Sequence, residues 1–151
     1  LSYAVDVNVL LYASDETSPF SKRAREFLEE CAAGPEVLCF GWPTLRSYLR
    51  LSTHPAIFAN PLTPDQAEQN VETLLALPHV RVLSEQEGFW DVYRVVTRDL
   101  ATRGNDVPDA HLAALLRQHD VPTLYTNDRD FRKYPNLKVV NPFEAAGPSR
   151  Q

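Results

Sequence analysis

Short apolar runs of strand length alternate along this chain with longer stretches in which apolar residues recur every three or four positions. Tyr3 to Val5 reads as a buried strand, and Val7 to Ala13 as a short helix leaving it directly. Pro19 opens a second helix, with Ala24, Phe27, Leu28 and Cys31 on one stripe and Lys22, Arg23, Arg25 and Glu29 opposite, until Gly34-Pro35 stops it. Val37 to Phe40 is the next strand, and Gly41-Trp42-Pro43 turns into a helix carrying Leu45, Tyr48, Leu49 and Leu51. Thr63-Pro64-Asp65-Gln66 is a helix start with Pro in the first turn, and its apolar positions Ala67, Val71, Leu74 and Leu75 run on until Pro78. Val80 to Leu83 is a third strand, and Phe89 to Ala101 a further amphipathic helix. Pro108-Asp109-Ala110 begins another, through Leu112, Ala113, Leu115 and Leu116. Thr123 to Tyr125 and Leu137 to Val140 complete the strands.

Strands separated by helices argue a three-layer α/β/α domain with a central parallel sheet of about five strands. In such a fold, ligands collect beyond the carboxyl ends of the strands. Asp6 falls at the end of the first strand and Thr126-Asn127-Asp128-Arg129-Asp130-Phe131 follows the fourth. Asp109 comes from the first turn of the helix that leads into the fourth strand, where free amides and the helix dipole favour a negative charge. If the first and fourth strands are neighbours, three separate segments bring carboxylates to one rim.

Charge and composition narrow the chemistry. The chain has 151 residues, enough for one domain, and a formal net charge of −5. It offers no long-range attraction to a polyanion, so a nucleic-acid substrate requires a local basic patch or a bound metal. Cys31 and Cys39 form no CxxC pair and stand in apolar surroundings, so buried free thiols in a reducing cytoplasm are expected. No segment has the length and apolarity of a membrane span, and no signal peptide is visible. There is no methionine, so residues ahead of Leu1, the initiator among them, are expected. No glycine-rich phosphate loop is present, and no Ser or Cys shows a base partner, which argues against covalent hydrolysis.

Each acid also has a plainer reading. Asp128 or Asn127 could cap the short helix begun by Arg129-Asp130-Phe131, Asp6 could cap the helix that follows it, and Asp109 could be only a first-turn acid. Their convergence is harder to explain without a cation, because carboxylates held close together drive one another to protonate. Oxygen-only ligands suit Mg²⁺ or Mn²⁺.

The segments Val5-Asp6-Val7-Asn8-Val9-Leu10-Leu11-Tyr12-Ala13, Pro108-Asp109-Ala110-His111-Leu112-Ala113-Ala114 and Thr126-Asn127-Asp128-Arg129-Asp130-Phe131, in this order, resemble the PIN-domain signature. Together with Leu49-Arg50-Leu51-Ser52-Thr53-His54-Pro55 and Val140-Asn141-Pro142-Phe143, they are similar to the VapC-type ribonuclease toxins of bacterial toxin–antitoxin pairs. The resemblance covers nearly the whole chain. It implies a PIN-like domain over 1–143 with its first strand central, a disordered tail over 144–151, and Mg²⁺-dependent cleavage of RNA, tRNA or rRNA among the targets. Asp6, Asp109 and Asp128 are the implied catalytic and metal-holding residues, with Asp130 as a further metal ligand. The implied partners are a VapB-type antitoxin, with an Arg reaching the carboxylates, and a second copy of the chain, for which Ala56-Ile57-Phe58 and Phe89-Trp90 are candidate contacts, though either stretch could equally be core.

One departure stands out. The family usually places a Glu on the helix after the second strand, where this chain has Ser47. That opens an alternative: a silent module that binds RNA or a partner without cutting. Asp106 is a possible compensating acid. A phosphatase of the haloacid-dehalogenase type also starts from a strand-end Asp, but it wants a second Asp where this chain has Asn8. Arg46 and Arg50, four apart on one helical face, are candidates to hold RNA phosphates, as are Arg129 and Lys133, with Asn8 also near the substrate. His111 is expected to be structural, His54 a turn residue, and Trp42 and Trp90 to pack in the core or an interface rather than to stack on bases.

Overall fold

A computed structural model describes residues 1–144; the expected tail lies outside the described residues except for Glu144. The strands are β1 (Ser2–Val5), β2 (Val37–Gly41), β3 (Val80–Leu83), β4 (Thr123–Tyr125) and β5 (Lys138–Val140). The helices are α1 (Val7–Ser14), α2 (Ser21–Ala32), α3 (Trp42–Ser52), α4 (Pro64–Leu75), α5 (Phe89–Thr97) and α6 (Asp106–Gln118), with a 3₁₀ turn at Arg129–Lys133. All five strands are parallel, in the order β3-β2-β1-β4-β5, so β1 is central as expected.

Alternation along the strands builds two cores. Ala4, Cys39, Leu83 and Leu124 point to one face, where α5 and α6 cover them with Val96, Leu112, Leu115 and Leu116. Tyr3, Val5, Leu38 and Phe40 point to the other, against Val9 and Leu10 of α1, Phe27 and Cys31 of α2, Leu45 and Tyr48 of α3, and Ala67 and Val71 of α4. Both faces are covered, which is why these strands read as nearly continuous apolar runs. At the end of β2 a side chain on Gly41 would come within 2.8 Å of Leu115 Cδ2. Glycine there lets α6 lie close to the rim of the sheet.

Most expected elements form where the pattern places them. Thr63 and Gln66 make a reciprocal capping box that starts α4. Several boundaries differ by a residue, and three differ by more. The second helix begins at Ser21, two residues after Pro19. Helix α6 starts at Asp106 rather than Pro108, because the first amides of a helix need no intrahelical partner and Pro108 therefore fits inside the first turn. Helix α5 ends at Thr97 rather than Ala101; the Leu100 N–H turns back to the Thr97 carbonyl at 3.0 Å, and Leu100 packs against the α6 core.

Both cysteines are buried and free, as expected. Burial pushes the Cys31 thiol up to about 11. His54 is the expected turn residue, its Nδ1 accepting the Ala56 N–H at 3.0 Å. Phe58 is a core residue at 3% exposure, whereas its neighbour Ile57 is exposed. Of the core or interface placement expected for the tryptophans, the core half is excluded: Trp42 is 52% and Trp90 66% exposed. Their apolar neighbours point inward while the indoles face outward, a distinction that composition around a residue does not encode. No helix among the described residues is long and apolar enough to cross a membrane.

Candidate active site

Parallel pairing of β1 with β4 aligns Val5 with Tyr125, which sets Asp6 beside Thr126 at the carboxyl end of the sheet. The Asp6 N–H donates to the Tyr125 carbonyl at 3.0 Å, closing the strand pair just at the rim. Asp6 is 8% exposed. Its Oδ1 accepts the Val7 N–H at 2.8 Å, so the carboxylate does cap α1; its Oδ2 accepts the Thr126 hydroxyl at 2.7 Å. Burial pushes the Asp6 carboxyl up, these two donors pull it down, and the charge of Asp128 pushes it up again.

Thr126 is the hub of this rim. Its oxygen accepts from Asn8 Nδ2 and from the Asp128 N–H, each at 3.0 Å, while its own proton goes to Asp6. Asn8 completes the ring, with its Oδ1 accepting the Asn127 N–H at 3.4 Å and its Nδ2 lying 3.5 Å from Asp6 Oδ2. Asp128 also serves as a cap: its Oδ1 accepts the Asp130 N–H at 2.9 Å and starts the 3₁₀ turn. Nothing local marks Thr126, because its partner lies 120 residues away in sequence. The available signal was its position, the first residue after a strand that proves to neighbour β1.

Asp6 and Asp109 line one groove of about 490 Å³, together with Pro43, Thr44, Arg46, Ser47 and Arg50 of α3 and His111 and Leu112 of α6. Burial, then the charges of Asp128 and Asp6, push the Asp109 carboxyl up to about 7, against an opposing pull from Lys133. The Asp128 charge thus acts on both groove acids, although Asp128 itself lines an adjoining small crevice with Asn127, Arg129 and Arg132. Asp130 is exposed and gives Asp128 its backbone N–H. Asp106 pairs with Lys133 Nζ at 3.2 Å. His111 lines the groove while its Nε2 meets Glu85 Oε2 at 2.5 Å and its ring lies edge-on to Phe89, tying α6 to the segment after β3. That pairing and nearby Arg46 hold Glu85 below the usual carboxylate range.

Among the described residues, no three His, Cys, Asp or Glu side chains already stand in a metal-holding arrangement. The donor chemistry nevertheless suits a hard divalent cation. Asp6 and Asp109 are oxygen donors on one groove, the charge of Asp6 raises the proton affinity of Asp109, and Mg²⁺ commonly needs only one or two carboxylates because it keeps several waters.

A single parallel sheet with acids gathered at its carboxyl rim defines the class, and the comparisons give it a name. The PIN domain model matches residues 3–137, and the chain belongs to the PIN-domain family. It is 43% identical over 143 residues to ribonuclease VapC48 of Mycobacterium tuberculosis, covering 95% of this chain and 99% of that protein. The fold matches VapBC2 of Rickettsia felis bound to a DNA fragment from its promoter, with a TM-score of 0.67 at 17% identity over 93% of this chain and 98% of that one. It also matches VapC20 of Mycobacterium tuberculosis, a sarcin-ricin loop cleaving toxin, with a TM-score of 0.65 at 16% identity over 90% and 98% of the two chains.

The Thr126 bridge gives a direct test of the rim. Thr126→Val is expected to lower turnover about 10- to 100-fold, the usual effect of removing a group that orients a ligand, while Thr126→Ser retains most activity. Turnover measured at saturating RNA checks it; full activity in Thr126→Val would show that Asp6 needs no such support.

Proposed function

We propose that this protein is a divalent-metal-dependent endoribonuclease and the toxin component of a toxin–antitoxin pair. The observation that carries the reading is the groove itself, which Asp6 and Asp109 line together with Arg46 and Arg50. The 43% identity to a protein named as a ribonuclease favours cleavage over silent binding, despite Ser47.

In this reading Asp6, Asp109 and Asp128, with Asp130 in support, hold Mg²⁺, or Mn²⁺ in its place. A metal bound there supplies a water activated for attack and charge stabilisation at the leaving oxygen. The protein's own part is positioning. Arg46 and Arg50 hold phosphates on either side of the scissile bond, Arg129 engages the strand beyond Asp128, and Asn8 keeps the rim in register at the substrate's edge. Thr126 and the Val7 N–H fix the Asp6 carboxylate so that no reorganisation is needed when a phosphodiester arrives. The arginines also offset locally a net charge of −5 that would otherwise repel RNA.

The Rickettsia neighbour is named as a VapBC complex, which supports a VapB-type antitoxin as the partner. An antitoxin Arg entering the groove would meet Asp6 and Asp109 with a planar fork suited to paired carboxylates. A homodimer acting on RNA in the cytoplasm completes the reading.

Purified protein incubated with a tRNA and rRNA pool should produce discrete new ends with Mg²⁺ and none after chelation, with activity restored by Mg²⁺ or Mn²⁺. Undiminished cutting in excess chelator would remove the metal from the mechanism. Intact RNA under all conditions would favour the silent module.

A further inference from the structure

Helix α3 carries a second chemistry on its outward face. Trp42, Arg46 and Arg50 follow one another at intervals of four, and all three are exposed. Residues four apart stack one above another on a helix, so a single stripe runs from indole to guanidinium to guanidinium, away from the end of β2. Arg46 and Arg50 also line the groove that holds Asp6 and Asp109. Trp42 stands one turn ahead of Arg46 and next in sequence to Pro43, which lines that groove, although Trp42 itself does not. Among the described residues its ring stacks on no other aromatic and its N–H meets no acceptor. At 52% exposure, the indole presents unstacked ring surface to a ligand.

The same spacing recurs on α5 as Trp90, Arg94 and Arg98, again all exposed. Two differences separate the stripes. The Trp90 ring already stacks on Tyr93, with centroids 5.7 Å apart and planes 12° from parallel, and none of the three residues lines the groove. Only the α3 stripe joins a free aromatic face to cations that are continuous with the acidic site.

We propose that Trp42 is a base-stacking platform for single-stranded RNA entering the groove, with Arg46 and Arg50 taking the phosphates that follow the stacked base. This rests on the ribonuclease reading and adds to it the side chain that engages the unpaired base. A guanidinium stripe alone would accept single strands and duplexes alike, because both present phosphates. An indole platform needs a base free of its own stack, so it selects loops, ends and unpaired segments. Stacking tolerates any base, so Trp42 sets strandedness and register rather than sequence.

The test uses Asp6→Asn protein, which binds without cutting, in a Trp90→Phe background where Trp42 is the only indole of the chain's two tryptophans. It is titrated with a short oligouridylate, a short oligoadenylate and an RNA duplex of equal length. Both single strands should quench the indole fluorescence to saturation, and the duplex should bind more weakly with little quenching. Trp42→Ala, followed by fluorescence polarisation of labelled oligonucleotide, should weaken single-strand binding by about 5- to 150-fold. The slope of log affinity against log salt should stay unchanged in Trp42→Ala, whereas Arg50→Gln should reduce it by about 0.7. Trp42→Phe should recover most of the affinity.

Saturation without quenching, or equal affinity in Trp42→Ala, overturns the platform while leaving the ribonuclease reading intact. So does a Trp42→Ala protein that changes oligomeric state in sedimentation and whose lost RNA binding Trp42→Phe fails to restore, since the face is then a protein interface. If the unaltered protein cuts no RNA and Asp6→Asn binds none, the ribonuclease reading fails and the platform falls with it.

Discussion

Replacing Asp6 with Asn should reduce RNA cleavage by about 10³-fold or more while leaving the protein folded. Charge stabilisation by a bound metal amounts to several kcal/mol, and about 1.4 kcal/mol is tenfold in rate, so losing the central anionic ligand removes several decades. The effect on stability is small because two terms oppose one another. A neutral amide no longer carries the desolvation that pushes the Asp6 carboxyl up. Against this, the Val7 N–H requires an oxygen at one position, which turns the new amide nitrogen toward Thr126. The Thr126 oxygen already accepts from Asn8 and from the Asp128 N–H, so that nitrogen finds no free lone pair. The mismatch costs on the order of 1 kcal/mol. Circular dichroism should show a native spectrum. Cleavage at the normal rate by this variant, first metal-depleted and then supplied with Mg²⁺, would remove Asp6 from the catalytic site.

The second large effect is a dependence of stability on pH that a metal reverses. Asp109 keeps its proton in the folded protein up to about 7, whereas an ordinary Asp releases it near 3.8. Between those values the folded state binds more protons than the unfolded chain, so stability falls as pH rises through that window. Discounted for the partial exposure of Asp109, the loss is on the order of 2 kcal/mol. For a chain of this size that corresponds to a melting temperature lower by about 4 to 8 °C at pH ~8 than at pH ~5 in excess chelator. Glu85, whose carboxyl is held low by His111, acts with the opposite sign, but its window lies below the ordinary Glu value of 4.5. Mg²⁺ should restore the melting temperature at the higher pH, where Asp109 is ionised, and do little at the lower. Asp109→Asn should reduce both responses, while Asp6, whose carboxyl is also pushed up by burial, keeps part of the slope. Scanning fluorimetry of the two proteins with and without Mg²⁺ measures all of this; an equal slope in Asp109→Asn would place the effect elsewhere.

Antitoxin binding and RNA entry meet at the same groove in this picture. On the proposed reading, an arginine fork between Asp6 and Asp109 would relieve the repulsion that a metal would otherwise relieve, so inhibitor and cofactor would compete for the same carboxylates.

Much of the architecture was legible from period alone. The runs at Val37 to Phe40, Val80 to Leu83 and Thr123 to Tyr125, each bounded by Gly or Pro signals or by helical periodicity, are strands in the folded protein, and a parallel sheet follows from helices between them. The three acids were legible too, since each stands beside an element boundary where a carboxylate has a local reason to be. Those local reasons proved true as well: Asp6 and Asp128 both cap the element that follows them. Capping and convergence are compatible, because a helix start at a strand end is also the rim of the sheet.

The remainder depended on contacts that join distant parts of the chain. Thr126 orients Asp6 across a strand pairing that no local pattern records, and Asn8 gives both ends of its amide to the same rim. The outward turn of Trp42 and Trp90 was hidden because their neighbours in sequence are apolar, and neighbours in sequence lie on other faces of a helix. Phe58, left open between a dimer contact and the core, lies in the core. By itself the sequence determined the order of strands and helices, the placement of acids at strand and helix ends, and an arginine spacing on α3, because each follows from the chemistry of adjacent residues. Only the tertiary structure decided that β4 lies against β1, that Asp6 and Asp109 share one groove with Arg46 and Arg50, and that the Trp42 indole is exposed. Those facts depend on which surfaces are buried together, and burial is a property of the whole fold.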